Sequence, residues 1–321
     1  MTENPLERAL RIAGDAGERA YPKPTVGAVV VSGDEIVGEG ATEAGRVGRH
    51  GERVALDTSG ERTRGATLFV TMEPCAHHGA TPPCVDAVLK AGVARVVVGQ
   101  RDPNPHVSGG GIEKLRAAGV EVEVAEGELA FRCRQQLEAW RTWVALARPF
   151  VTYKVAVTLD ARVTVPDSRW VTGEEARRLV HELRARSDAV AVGMGTVRAD
   201  EPSLDARDVL TPRGQPRRLA FGSGPLPEGS ELELRTGAIG EELRALAAEG
   251  VQSLLLEGGP TLATAFLELA LIDKLLVFVA PRLAGSGPTF VGKLTRPLTL
   301  ARLESRRVGE DVLLSAYVRE P

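Results

Sequence analysis

The amino-acid sequence predicts an α/β protein in two domains, and three observations carry that prediction. Short β-branched apolar runs alternate with helical patterns through the first 146 residues or so, the pattern breaks at Arg148-Pro149, and it then restarts with a fresh set of runs. Strand–helix alternation implies helices packed on a mostly parallel sheet. A chain of 321 residues is long enough for two domains of ordinary size.

The elements follow in order. MTENPLERALRIAGDAGERA reads as an amphipathic helix with charges throughout. VGAVVV (26–31), TLFVTM (67–72), RVVVGQ (95–100) and VEVEVAE (120–126) read as strands, with helices near 50–57, 84–91 and 111–118. A last helix, roughly 128–146, ends before Arg148-Pro149, because proline disfavours helical geometry in the residue preceding it. In the second half FVTYKVAVTL (150–159), AVAVGM (189–194), RRLAFG (217–222), SLLLEG (253–258), KLLVFVAP (274–281) and VLLSAYV (312–318) read as strands. Helices fall near 173–186, 239–249 and 261–270, the first with an N-cap at Thr172 and Glu175 three residues on. The boundary lies at about 147–149, giving domains 1–146 and 150–321. The halves are not obvious repeats, and only a Pro/Gly-rich patch near 222–230 is compositionally biased.

Composition narrows the function classes. A net charge of −3 and a pI near 6.1 argue against a nucleic-acid binder that relies on phosphate neutralisation. Three cysteines cannot build a disulfide framework, and an odd number suits a reducing cytoplasm. The N-terminus lacks the continuous apolar core of a signal peptide, and no run approaches the roughly 18 apolar residues that span a bilayer. A cytoplasmic protein acting on a small molecule, with no membrane partner, is the expectation.

Two stretches in the first half carry chemistry. GRHGERVALD places His50 and Glu52 as H-x-E at the start of a helical pattern, and PCAHHGATPPC adds Cys75, His77, His78 and Cys84. Zinc deaminases use one His and two Cys as ligands and a non-ligand Glu as proton shuttle, leaving the fourth position for water. Each part has a bland account: a solvated helix start, two buried thiols, loop histidines, or a structural Cys2His2 zinc using His77 or His78. The order of H-x-E, then a strand, then Pro-Cys at the strand's end favours a catalytic zinc. Eight residues separate Cys75 from Cys84, however, where the deaminase signature usually has two.

The second half has loops instead of a metal cluster. LLLEGGPTLATAFLE joins a strand to a helix through Gly258-Gly259-Pro260, a turn whose helix amides suit a phosphate. GMGTVRADEPSL is not a dinucleotide fingerprint, since Arg198 occupies the third glycine position. A site at the carboxyl ends of the strands is what an open α/β sheet predicts. Lys154 and Asp160 fall on and after a strand, and Arg184 and Arg207 suit a phosphate or solvent equally.

TMEPCAHHGATPPCVDAVLKAGVARVVVGQRDPNP and YPKPTVGAVVV closely resemble the deaminase half of the bifunctional deaminase/reductases of riboflavin biosynthesis, and the resemblance runs through the second domain. It implies a cytidine-deaminase-like α/β/α sandwich followed by a dihydrofolate-reductase-like α/β domain. It places His50, Cys75 and Cys84 on zinc, Glu52 as acid/base, and Lys23, His77, Asp102 and Asn104 against the pyrimidine. In the reductase half it implies NADPH contacts at Ala156, Trp170, Thr196, Asp200, Ser223 and the turn Gly259, Pro260, Thr261, Leu262, Ala263, Thr264 and Ala265. It implies sugar-phosphate contacts at Ser168, Arg184, Leu204, Arg207 and Glu257, with Lys154 and Asp160 as candidate proton donors, and a homo-oligomer.

This chain departs from the family pattern around the substrate. Lys23 stands in place of the Asn of Pro-Asn-Pro, Thr42 in place of a histidine, Ala80 in place of a basic residue suited to a phosphate, and Gly51 in place of alanine. Ala161 replaces a glycine, and the loop before Ser168 is about two residues short. The expected activity is zinc-dependent deamination of a diaminopyrimidinone ribosylamine phosphate, then NADPH reduction of its ribosyl to a ribityl chain. The rivals are a drifted deaminase pocket that leaves mainly the reductase or takes another aminopyrimidine, a zinc-stabilised binding module, and a nucleic-acid deaminase.

Overall fold

The computed structural model describes residues 3–45, 47–79, 81–104 and 110–321. Ala80 lies outside the described residues. The chain divides into two compact units, Met1–Ala145 with Pro321, and Leu146–Glu320.

The first unit runs α1 (Pro5–Ala20), β1 (Gly27–Ser32), β2 (Glu35–Ala41), α2 (Gly51–Ser59), β3 (Thr67–Val70), α3 (Cys84–Ala91), β4 (Arg95–Val98), α4 (Gly110–Ala117), β5 (Glu121–Val124), α5 (Gly127–Gln136) and α6 (Glu138–Leu146). Asn4 caps α1, its Oδ1 accepting from Leu6 N at 2.8 Å, with Pro5 in the first turn. The sheet order is β2-β1-β3-β4-β5. Strands β3, β4 and β5 are parallel, but β1 runs antiparallel to both β2 and β3, so the sheet is mixed rather than mostly parallel.

Strand β2 is absent from the sequence-predicted strands, and its glycines explain why. They depress the apolar signal, yet the packing requires them. A Cβ on Gly38 would lie 2.4 Å from Ala55 O of α2, and one on Gly40 2.6 Å from Ala55 N. The predicted helix over 128–146 is two helices, because Leu137 leaves helical geometry (φ −115°) and is buried in the core that holds Ile112 and Leu115. One face of the sheet packs Val30, Leu68, Val96 and Val98 against Val85 and Val88 of α3. The other meets Leu6 and Leu10 of α1 and Cys133 of α5 through Phe69. The result is an α/β/α sandwich.

The second unit runs β6 (Phe150–Thr158), α7 (Glu174–Ala185), β7 (Ala189–Gly193), α8 (Met194–Asp200), β8 (Arg217–Phe221), β9 (Glu233–Arg235), α9 (Ile239–Ala248), β10 (Ser253–Leu256), α10 (Pro260–Glu268), β11 (Lys274–Ala280), β12 (Ala301–Val308) and β13 (Asp311–Tyr317). The sheet order is β12-β13-β11-β6-β10-β7-β8-β9. The pairs from β11 to β9 are parallel, and β13 and β12 close the other edge antiparallel. At the start of β6, Arg148 is buried with both Nη atoms on the Asp273 carboxylate, at 2.7 and 2.8 Å. Asp273 also accepts from Val151 N at 2.9 Å.

Three elements here escape sequence reasoning. Helix α8 reads as a loop because Gly193 and Gly195 lower helix propensity. Strand β9 is only three residues long. Strand β12, ARLESRRV, is exposed along most of its length, so it shows no apolar alternation. The expected Thr172 cap is also replaced. Gly173 is the N-cap of α7, with no side-chain cap bond, and its own N–H donates to Asp311 Oδ2 at 2.8 Å. Among the described residues no helix is long and apolar enough to cross a membrane.

Candidate active sites

The first cluster forms where two helix starts meet the end of a strand. His50 is the residue before α2, Cys84 is the first residue of α3, and Cys75 follows the exit from β3. His50 Nδ1 lies 3.2 Å from Cys84 Sγ and 3.6 Å from Cys75 Sγ, and Cys84 N–H points at Cys75 Sγ at 3.3 Å. The three ligand atoms all lie within 4.8 Å of one another, so one ion can touch all three. On the far side of the ring, Thr81 Oγ1 stands 3.4 Å from His50 Nε2, the outer partner that fixes ring orientation in metal sites.

The electrostatics match a divalent cation. The Cys84 thiol and His50 hold Cys75 down to about 4, while contact with Cys75 and burial push Cys84 up. Glu52, in the first turn of α2, is 3% exposed, and its Oε2 has no hydrogen-bond partner among the described residues. Burial pushes this carboxyl up, and the two thiols and His50 act on it directly. A buried carboxyl with an orphaned oxygen beside three convergent soft ligands fits a catalytic zinc with a proton shuttle.

Asp102 is buried, accepts from Asn104 N at 2.9 Å and is pushed up by burial, with His77 opposing. Its own N–H is held by Glu73 Oε2 at 3.1 Å, while Glu73 Oε1 caps α4 through Gly111 N and Ile112 N. Sequence reasoning missed Glu73 and Thr81. His77 and His78 are both exposed. Lys23 donates to Gly48 O at 3.1 Å, and burial lowers its ammonium. Thr42 is an internal tie, accepting from Val26 N at 2.9 Å and donating to Pro24 O at 3.1 Å. A Cβ on Gly51 would lie 2.3 Å from Val26 O, so the helix start sits tight on β1.

The second cluster lines a cavity of about 750 Å³ in the reductase half. Glu257 follows β10, its N–H on Ala191 O at 2.8 Å, which puts it at the carboxyl ends of the central strands. Arg184 of α7 grips its carboxylate through Nε at 2.6 Å and Nη2 at 3.1 Å, and Lys154 Nζ of β6 lies 3.3 Å away. Burial opposes this ionisation, but Lys154 and Arg184 outweigh it and hold Glu257 at about 2. Trp170, Thr196, Asp200, Leu204 and Arg207 line the same cavity. Leu204 is buried at φ 56°. A Cβ on Gly259 would lie 3.6 Å from Thr196 Oγ1, which joins the start of α10 to α8.

Other expected contacts stand apart from this lining. Ser168 gives its hydroxyl to Trp170 O at 2.7 Å, and the Ser223 carbonyl accepts from Arg198 Nη2 at 2.8 Å. Ala156 packs beside Val180 and Leu276, and Ala263 is fully buried, so Ala263 can offer a ligand only its backbone. In α10 the Thr264 hydroxyl donates to Pro260 O at 2.6 Å, Leu262 faces Gly193 and Gly258, Thr261 is exposed and Ala265 is half-buried. Asp160 accepts from Thr158 Oγ1 at 2.6 Å, Ala284 N at 3.0 Å and Gly285 N at 2.8 Å. These bonds, the Thr158 hydroxyl foremost, hold its carboxyl at about 2 and tie it to the loop at Ala284 and Gly285.

A family model described as the cytidine and deoxycytidylate deaminase zinc-binding region matches residues 2–100, and one for the RibD C-terminal domain matches 149–314. The riboflavin biosynthesis protein RibD of Mycobacterium tuberculosis is 42% identical over 336 residues, covering 98% of this chain and 95% of that protein. The chain belongs to the RibD family. RibD of Aquifex aeolicus is 37% identical, covering 98% of each chain. The structure of Acinetobacter baumannii RibD superposes with a TM-score of 0.85 at 31% identity, covering 98% of this chain and 97% of that one. A Thermotoga maritima structure, described as a diaminohydroxyphosphoribosylaminopyrimidine deaminase/5-amino-6-(5-phosphoribosylamino)uracil reductase, gives 0.79 at 32% identity with the same coverage. RibD-family chains pair a zinc-dependent deaminase with an NADPH-dependent reductase in riboflavin biosynthesis, and this chain carries both domains.

Proposed function

We propose that the first unit hydrolyses the 2-amino group of 2,5-diamino-6-ribosylamino-4(3H)-pyrimidinone 5′-phosphate, releasing ammonia, and that the second reduces the ribosyl group of the product to ribityl. The observation that carries this reading is Glu52, a buried carboxyl with an unpartnered oxygen beside His50, Cys75 and Cys84. Those three residues would hold zinc, which when bound supplies the Lewis acidity that makes water a nucleophile at neutral pH. Glu52 would accept one proton of the attacking water and pass it to the ring nitrogen, then take the second from the added hydroxyl and deliver it to the amine that leaves as ammonia. Asp102, with its N–H anchored by Glu73, and His77 orient the pyrimidine, with Asn104 and Lys23 at the rim.

In the second unit bound NADPH supplies a hydride to C1 of the ribose. Trp170, Thr196 and Asp200, with the turn at Gly259, form the cofactor side, while Leu204, Arg207 and the Arg184–Glu257 pair form the sugar side. Lys154, in contact with Glu257, is the nearest cation to this pair and supplies the proton that accompanies ring opening. Cytoplasmic residence follows from the need to keep Cys75 and Cys84 reduced. A homo-oligomer is supported by the exposed edge strand β12, which carries Leu303, with Leu300 just before it.

Ammonia release from the diaminopyrimidinone substrate by zinc-loaded protein tests the reading. Release by wild type and its loss in Glu52→Gln is the expected result. NADPH oxidation without any ammonia release would favour the drifted-pocket alternative that Lys23, Thr42 and Ala80 motivate.

A further inference from the structure

Three basic side chains at helical spacing on α7, Arg177, His181 and Arg184, line one wall of the reductase cavity, and Arg169 joins them from the preceding loop. Their charges are not equally available. Arg184 has its Nε and Nη2 committed to Glu257, a carboxylate it shares with Lys154, and its Nη1 donates to Asp205 O at 3.0 Å. His181 is occupied by the loop at Arg207, whose N–H donates to its Nδ1 at 3.1 Å.

Arg169 and Arg177 differ. Neither has a carboxylate within ion-pair distance among the described residues. Arg177 donates Nη1 to Thr172 O at 2.8 Å, and no neighbour cancels its charge. The two guanidinium carbons instead lie 5.1 and 5.2 Å from the centroid of the Trp170 ring, which is half exposed in the cavity. An aromatic ring braces a guanidinium without neutralising it. The acidic lining residues Asp200 and Glu201 come from the end of α8, not from this wall.

We propose that Arg169 and Arg177, braced on Trp170, form a phosphomonoester subsite of the reductase, separate from the Arg184–Glu257 pair. The proposal rests on the reductase reading above. A phosphomonoester dianion is best received by cations that are not already paired, and a guanidinium fork matches its oxygens. The residues first matched to a phosphate are already engaged: Arg184 donates to Glu257 and Asp205 O, Arg207 lies 3.7 Å from the Asp205 carboxylate, and the Ser168 hydroxyl is given to Trp170 O. Two phosphomonoesters enter this cavity, the 5′-phosphate of the sugar substrate and the 2′-phosphate of NADPH.

Steady-state kinetics with 5-amino-6-(5-phosphoribosylamino)uracil and either NADPH or NADH tests the proposal on wild type, Arg169→Gln and Arg177→Gln. If the ligand is the 2′-phosphate, KM for NADPH rises roughly tenfold or more while KM for NADH stays constant. If it is the 5′-phosphate, KM for the uracil substrate rises by that factor with either cofactor and KM for NADPH stays constant. In each case inorganic phosphate competes with the affected ligand in wild type and less well in the variant. Both KM values within about twofold of wild type, or a fall in kcat alone, would overturn the proposal. Ammonia release by the deaminase unit and the melting temperature report folding. Should Arg177→Gln not fold, the exposed Arg169→Gln alone carries the comparison, with the same rise in KM expected and the same constancy overturning the proposal. A wild-type protein that oxidises neither cofactor would instead sink the reductase reading.

Discussion

Arg184 and Glu257 form a two-pronged ion pair, Nε to Oε1 at 2.6 Å and Nη2 to Oε2 at 3.1 Å, on side chains about a tenth exposed. It joins α7 to the carboxyl end of β10 and so shapes the floor of the reductase cavity. Removing one partner leaves the other charged and desolvated, which costs about 3–5 kcal/mol. For Arg184→Ala the loss falls at the lower end of that range, because Lys154 still faces Glu257. Calorimetry should show the second unit destabilised and NADPH oxidation lost, with ammonia release retained.

The same pair sets an acid dependence. Glu257 sits at about 2, below its ordinary 4.5, so its contribution to stability is complete above about pH 4.5 and is lost as pH falls through 2. Denaturation of the second unit between pH 5 and 2 should therefore show a weaker pH dependence in Glu257→Gln than in wild type, whatever the variant's absolute stability.

Glu52→Gln preserves the shape of the deaminase site and removes its proton carrier. Ammonia release should fall by at least ~10²-fold, with zinc content and NADPH oxidation on the deaminated uracil unchanged. A parallel loss of zinc would show Glu52 acting as a ligand instead.

Thr42 ties Val26 N and Pro24 O together through one hydroxyl. Thr42→Val strands both groups and should cost ~1–3 kcal/mol of first-unit stability, read by thermal unfolding. A variant as stable as wild type would return Thr42 to the substrate side.

The convergence of His50, Cys75 and Cys84 was legible in the sequence because their spacing is tied to element boundaries: His50 precedes α2, and Cys84 opens α3. Valine runs likewise announced the central strands. Strand β2 was hidden because its glycines, demanded by contact with α2, erase the apolar alternation. Arg177 and His181 were hidden for a different reason. A basic helix face looks the same in sequence whether it meets water or a cavity, and only the placement of α8 and of the loop through Leu204 shows which. The loop contacts of Asp160 were hidden too, because Thr158 is near in sequence but Ala284 and Gly285, which also donate to its carboxylate, lie far along the chain.

The central claim is that one chain performs both steps, and stoichiometry tests it most directly. Zinc-loaded protein given the diaminopyrimidinone ribosylamine phosphate and NADPH should release ammonia and consume NADPH in equal amounts, with Glu52→Gln abolishing both from this substrate. Glu52→Gln should still oxidise NADPH when supplied with the deaminated uracil. NADPH consumption from the diamino substrate without ammonia, or ammonia release that survives Glu52→Gln, would contradict the account.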